Sequence, residues 1–258
     1  MRGFLVDTHV HLCDPAFRED LADVLDRARQ AGVGAMIAVS ETLDDVRRNL
    51  ALADGFPAVL PAAGLYPAKA DRAEAEALAE LIRRERRRLA AIGEVGLDFR
   101  IAETDADREL QREVFCQFID LALELDLPLN VHSRSAGRHA VQLLLDKGAR
   151  RVQMHAFDGK AGSALAGLEA GYFFSIPPSA ARSRQKQKLI SNLPLSCLLL
   201  ETDAPVLGPS PEERNEPANL AASLKAVAEI KGVSEGQVRE AVQENTVRLY
   251  GHLASTLE

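Results

Sequence analysis

Six residues able to bind a divalent cation each stand just beyond a short apolar run. Leu5-Val6-Asp7 leads into His9 and His11, and Leu89-Ala90-Ala91-Ile92 into Glu94. Leu127-Pro128-Leu129-Asn130-Val131 leads into His132, Val152-Gln153-Met154 into His155, and Leu198-Leu199-Leu200 into Glu201-Thr202-Asp203. Residues two apart on an extended segment face the same way, so His9 and His11 can offer both imidazoles to one ion. A carboxylate such as Glu94 in an apolar strand is costly unless it is paired or bound to a cation. An ion pair with an arginine would satisfy it; a carboxylate bridging two ions is the preferred reading, with Gly93 and Gly96 leaving room beside it. His132 and His155 end neighbouring strands and suit a second ion, because neutral imidazole is a ligand for zinc and related divalent ions. Asp203 comes beside the first histidine pair if the first and last strands meet, and there it can orient an attacking water or take its proton. The stretch Thr202-Asp203-Ala204-Pro205 also reads as turn chemistry. Asp7 and Glu201 are placed to support their neighbours.

These residues need a frame that brings several strand ends to one rim. Eight strand candidates (3–8, 34–40, 58–65, 89–97, 127–132, 151–156, 171–176 and 197–202) alternate with helical patterns near 17–31, 43–54, 71–88, 106–126, 137–148, 161–170, 180–192 and 219–231. Such alternation implies parallel strands with helical crossovers. Candidate ligands on strands 1, 4, 5, 6 and 8 fit a closed barrel better than an open sheet with one switch point. The fold class is therefore α/β, a (β/α)8 TIM barrel, and 258 residues match the roughly 250 of one such domain, taken as 1–258. A ninth helix is expected at 234–249, opened by a Ser234/Gln237 capping box. The loop from Pro205 to Pro217, with four prolines, should lie over the active face.

The net charge of −7 argues against a surface that coats nucleic acid, though not against a local cationic site. Cys13, Cys116 and Cys197 have no paired spacing, which points to a reducing compartment; they read as small apolar fillers, with Cys13 close enough to the histidines to react. The N-terminal apolar run is too short for a signal peptide, and no run is long enough to span a membrane, so a cytoplasmic protein is expected. His139 and His252 read as surface residues, and the Arg83–Arg88 run as a solvated helix end on the face opposite the site. Arg100, Arg134, Lys160, Arg182, Arg184 and Arg214 follow strands on the active face; Arg134, two residues beyond His132, is the favoured phosphate contact because its fork matches phosphate oxygens.

Taken in order, Val6-Asp7-Thr8-His9-Val10-His11, Ile92-Gly93-Glu94-Val95-Gly96-Leu97-Asp98-Phe99, Val131-His132-Ser133-Arg134, His155-Ala156-Phe157-Asp158-Gly159, Glu201-Thr202-Asp203-Ala204-Pro205 and Arg214-Asn215-Glu216-Pro217 resemble the TatD family of metal-dependent deoxyribonucleases. Gly171–Pro178 and Gln185-Lys186-Gln187-Lys188 look most like the TatD DNase domain-containing protein 3 branch. The resemblance implies a binuclear site, with His9, His11, Glu94 and Asp203 on one ion and Glu94, His132 and His155 on the other. It also implies hydrolysis of DNA phosphodiester bonds, often by a 3′-to-5′ exonuclease acting on single strands. The sequence departs from the pattern at Gly64-Leu65-Tyr66-Pro67, where the family usually has Gly-x-His-Pro. Tyr66 can donate a hydrogen bond to substrate but carries no positive charge near neutral pH.

Three readings follow. The first is a two-metal deoxyribonuclease using zinc, magnesium or manganese, with Asp203 and Glu94 as catalytic residues, Arg134 and Tyr66 on the substrate, and single-stranded DNA ends as partner. The second keeps the site but acts on an ester or amide, as a D-aminoacyl-tRNA deacylase would. The third is a non-catalytic module of a larger complex, which a degraded ligand set would signal; all six positions hold competent residue types. A monomer is expected.

Overall fold

Short apolar runs, buried on both faces, form eight strands, each followed by a helix, in a computed structural model that describes residues 4–251. The strands are Leu5–Val10 (β1), Val33–Ala38 (β2), Val59–Ala63 (β3), Ala91–Gly96 (β4), Leu129–His132 (β5), Val152–Met154 (β6), Phe173–Ile176 (β7) and Leu198–Leu200 (β8). The helices are Leu21–Gln30 (α1), Leu43–Gly55 (α2), Arg72–Glu85 (α3), Asp105–Leu125 (α4), Gly137–Asp146 (α5), Ala161–Glu169 (α6), Arg184–Asn192 (α7), Leu220–Lys231 (α8) and Glu235–Tyr250 (α9). All strand pairs are parallel, in the order β1 to β8. The barrel closes where β8 returns to β1: Thr8 Oγ1 donates to Leu200 O (3.0 Å), Asp203 N to His9 O (2.9 Å) and His11 N to Ala204 O (3.0 Å). Closure thus stitches Asp203 directly to the His9-x-His11 segment.

Alternate positions on the strands (Val6; Ala35, Ile37, Val39; Leu60, Ala62; Leu199) form one buried cluster with Phe173, Leu249 and Tyr250. The larger cluster contains the complementary strand positions together with the apolar faces of the helices. This is the division expected when side chains on a strand alternate between the interior and the helix layer. A hydrogen-bonded polar layer runs through the barrel. Gln153 donates to Thr8 O and Ser175 Oγ, Asn130 donates to Thr8 O, and the buried Tyr250 hydroxyl donates to Gln153 Oε1.

The alternation and fold class follow the sequence expectation, and α9 opens with the Ser234/Gln237 capping box. Two helix starts differ. Pro15–Phe17 and Pro178–Ala181 form 3-10 turns, so α1 begins at Leu21, and α7 begins at Arg184 with Ser183 as its cap. Proline lacks the N–H that a continuing helix needs but suits a first turn. β1 extends to Val10, so His9 lies inside the strand and His11 just past it. The Arg83–Arg88 run is an exposed, ion-paired helix end: Arg83 bonds Glu124, and Arg88 bonds Asp54. His139 is exposed on α5, and His252 lies outside the described residues. No helix among the described residues is long and apolar enough to cross a membrane.

Candidate metal centre

All six candidate ligands line or underlie one cavity of about 500 Å³ at the C-terminal end of the strands. His9 Nε2 lies 3.2 Å from His11 Nε2 and 3.5 Å from Asp203 Oδ1, and His11 Nε2 lies 3.3 Å from Asp203 Oδ1. Glu94 Oε2 is 3.6 Å from His11 Nε2 and 3.9 Å from His9 Nε2. Donors about 2.1 Å from a tetrahedral ion lie about 3.4 Å apart, so these separations suit a common cation. The other oxygen of Glu94, Oε1, faces His132 Nδ1 at 2.6 Å and His155 Nε2 at 3.6 Å. Glu94 therefore presents one oxygen to each histidine pair, and no arginine pairs with it among the described residues.

The ring nitrogens facing away from the cavity are anchored. His9 Nδ1 meets Asn130 Oδ1 (2.8 Å), His132 Nε2 meets Asp98 Oδ2 (3.2 Å), and His155 Nδ1 meets Glu201 Oε2 (3.1 Å). This is how metal-binding imidazoles are held: the far N–H is donated to a fixed acceptor, which sets tautomer and ring direction. Asp98 is itself fixed by the backbone of Arg100, and Gln111 accepts from its N–H. Glu201 also accepts from Ser175 Oγ and Ala156 N. Asp7, buried below, accepts from Thr202 and His9 N–H; burial pushes its pKa up to about 8, the bonds from Thr202 opposing.

The electrostatics fit a cation. Burial drives the His9 pKa down to about 4, aided by His155, so its imidazole is neutral and free to ligate. For His11, burial is outweighed by the bond to Asp203 and the charges of Glu94, Asp203 and Glu41, and its pKa rises to about 9. His132 rises to about 10, burial again being outweighed by Glu94 and Asp98. Burial opposes ionisation of Glu94 and Asp203, but the surrounding histidines together hold both carboxyls below their ordinary range. Protons on His11 and His132 thus balance charge that a divalent ion would otherwise balance, so binding an ion would release them.

Local backbone geometry makes the room. A Cβ on Gly96 would stand 2.0 Å from His132 O, and one on Gly93 would stand 2.6 Å from Asn130 Cβ. Gly96 also has φ +144, which side-chain-bearing residues rarely adopt. Asp203 itself is left-handed (φ 54), a conformation tolerated at functional positions when the surroundings enforce it, here by bonds on both sides.

The rim sorts the expected cations. Arg134 lines the cavity, exposed, with no side-chain partner among the described residues. Arg214 instead grips Asp20, and Arg182 donates to Gly208 O. Arg100, Lys160 and Arg184 are exposed and do not line the cavity. The Pro205–Pro217 loop borders the site: Val206 and Leu207 line it, and buried Asn215 ties the loop to Thr202 O and Val206 O. Tyr66 also lines the cavity, but its hydroxyl donates to Asp98 Oδ2 at 2.8 Å, the oxygen that faces His132. Cys13 sits against Asn49, and burial pushes its pKa up to about 12, so the thiol is held in its unreactive form.

Sequence reading did not assign Asn130, Asp98 or Lys186. Asn130 lies two residues before His132 and so shares its face, a signal the sequence carried. Asp98 and Lys186 could be found only by their contacts.

Comparison with known proteins agrees with this geometry. The family model described as TatD related DNase matches residues 6–251. The mouse putative deoxyribonuclease TATDN3 is 46% identical, covering 98% of this chain and 90% of the relative; human deoxyribonuclease TATDN3 is 44% identical over 98% and 97%. YjjV of Escherichia coli, described as an uncharacterized metal-dependent hydrolase, is 30% identical over 95% and 97%. The crystal structure of YjjV superposes with a TM-score of 0.88 at 29% identity, covering 96% of this chain and 98% of that one.

Proposed function

The chain belongs to the TatD-related DNase family of metal-dependent hydrolases, and from that premise we propose that it cleaves DNA phosphodiester bonds with two divalent cations at the barrel mouth. His9, His11, Glu94 and Asp203 would hold one ion, and Glu94, His132 and His155 the other. Mixed imidazole and carboxylate donors suit zinc, manganese or magnesium. The observation that carries the reading is the group His9, His11 and Asp203 at separations suited to one ion, with Glu94 turning one oxygen toward it and the other toward His132 and His155.

Bound divalent cations supply positive charge that acidifies water and neutralises charge developing on phosphoryl oxygens. The residues of the chain do the rest. Asp203 turns Oδ1 toward His9 and His11, which leaves Oδ2 to orient the attacking water and accept its proton. Glu94, fixed between four imidazoles, keeps the two donor sets in register. Arg134 takes a phosphate oxygen in its fork. Val206 and Leu207 give the cavity an apolar edge. A cavity of about 500 Å³ accommodates a strand end better than an intact duplex, which supports exonuclease action on single strands, from the 3′ end as the family resemblance implies. Residues 1–258 would act as one catalytic domain in the cytoplasm, as a monomer. The competing reading is an ester or amide hydrolase such as a D-aminoacyl-tRNA deacylase; the cation Arg134 at the cavity disfavours an uncharged ester or amide, and a D-aminoacyl-tRNA assay run alongside separates the remaining case.

The test is cleavage of 3′- and 5′-end-labelled single-stranded DNA by metal-loaded protein. Asp203→Asn is expected to lower kcat by roughly 10²–10⁴-fold. No cleavage by the wild type, or equal cleavage by the variant, would defeat the reading.

A further inference from the structure

Lys186 is a half-buried cation at the cavity with no role in the proposed chemistry so far. It lies in the first turn of α7, and its side chain reaches inward to line the cavity opposite the strand ends. Nζ donates to Ala156 O at 3.1 Å, and no carboxylate lies within ion-pair distance among the described residues. Ala156 directly follows His155, and its own N–H is held by Glu201 Oε1 at 2.8 Å. The ammonium is thus aimed at the edge of the donor cluster with part of its hydrogen-bonding capacity free, since Lys has three N–H donors and Ala156 takes one.

A structural role explains this placement poorly. Basic side chains at a helix N-terminus oppose the helix dipole, and the first turn of α7 contains no acidic residue to offset it. Even partial burial of an ammonium without a paired anion is unfavourable. The position is nonetheless locked: neighbouring Gln185 donates to Asp158 Oδ1 (2.8 Å), and Asp158 Oδ2 accepts from Ser135 N (2.8 Å), tying α7 to the loops after β5 and β6. A second observation points to a ligand. Ser133, 2% exposed and lining the same cavity, has a buried hydroxyl with no hydrogen-bond partner. A donor with spare capacity and an unpartnered hydroxyl face the same space as the exposed fork of Arg134.

We propose that Lys186 is a substrate-contacting residue whose ammonium, together with the Ser133 hydroxyl, binds the non-bridging oxygens of the phosphate being cleaved. The proposal rests on the phosphodiesterase reading and deepens it: it makes the site selective for an anionic phosphate ester. Burial lowers the Lys186 pKa, with Glu201, Asp203 and Asp158 opposing the shift, so an incoming phosphate would favour the charged form further.

The test compares metal-loaded wild type, Lys186→Met, Lys186→Arg, Ser133→Ala and, as control, exposed Lys188→Met. Thymidine 5′-monophosphate binding is measured by calorimetry, and single-stranded DNA cleavage by steady-state kinetics, with metal content and Tm recorded for each. Lys186→Met is expected to weaken nucleotide binding roughly ten- to hundredfold and to lower kcat/KM in parallel, with metal content unchanged. Lys186→Arg should recover part of both, Ser133→Ala should lose roughly three- to tenfold, and Lys188→Met should match wild type. Nucleotide binding by Lys186→Met within twofold of wild type, at full metal content, overturns the proposal, as does a wild type that binds no nucleotide. DNA cleavage that survives in Lys186→Met unchanged sinks this inference alone. Nucleotide binding that depends on Lys186 in a wild type that cuts no DNA sinks the nuclease reading and upholds the phosphate contact.

Discussion

Around Glu94, His9 on one side and His132 and His155 on the other are held by opposite means. In the set formed with His9, His11 and Asp203, the fully buried imidazole of His9 is anchored by a neutral amide, Asn130, and its pKa falls to about 4. In the set formed with His132 and His155, both imidazoles are anchored by carboxylates, Asp98 and Glu201; the pKa of His132 rises to about 10, and that of His155 is also raised. The residue type is the same, and the carboxylates facing each ring decide the sign: His11, faced by Asp203, Glu94 and Glu41, is raised too, and for His132 Glu94 adds to Asp98. An amide fixes the tautomer without adding charge, so burial dominates. A carboxylate stabilises the imidazolium and makes the ring more electron-rich. With the ligand sets proposed above, the first ion would have four protein donors and the second three, which would leave the second the more open to a substrate oxygen.

Glu94 is common to both sets, so Glu94→Gln should have the largest effect. Metal analysis of the purified variant should show both ions depleted and DNA cleavage lost; loss of one ion alone would mean the carboxylate does not bridge. The anchors should separate the two halves. Asp98→Asn is expected to weaken one ion by roughly 10–100-fold while the other stays bound, and Asn130→Ala should do the reverse. Calorimetric titration with zinc distinguishes them, and identical profiles for the two variants would break the comparison. The smallest effect belongs to Tyr66→Phe. It removes one hydrogen bond to the oxygen of Asp98 that faces His132, so ion affinity in the second set should fall by about three- to tenfold. If nucleotide affinity falls instead, with ion affinity unchanged, Tyr66 touches substrate directly.

Tyr66 separates what is local in the sequence from what is tertiary. Tyr66 stood at a motif position, and a hydrogen bond was expected of it. The partner, Asp98, lies 32 residues away on the next strand's loop and was not foreseeable. Asn130 was within reach of period-two reasoning from His132, whereas the inward reach of Lys186 was not, because it depends on where α7 docks. Arg214 shows the reverse: a cation after an active-face strand, it is drawn off by Asp20.

The sequence by itself determined the alternation of eight strands with helices, and which side chains end those strands. Both are local properties: apolar periodicity selects the element, and a carboxylate or imidazole beside an apolar run is too costly to bury without a partner. Only the tertiary structure decided which nitrogen of each histidine faces the cavity, what anchors the other, and which rim cations stay free. Those depend on strand register, on closure of β8 against β1 and on helix docking, which bring together groups as far apart in the chain as His9 and Asp203.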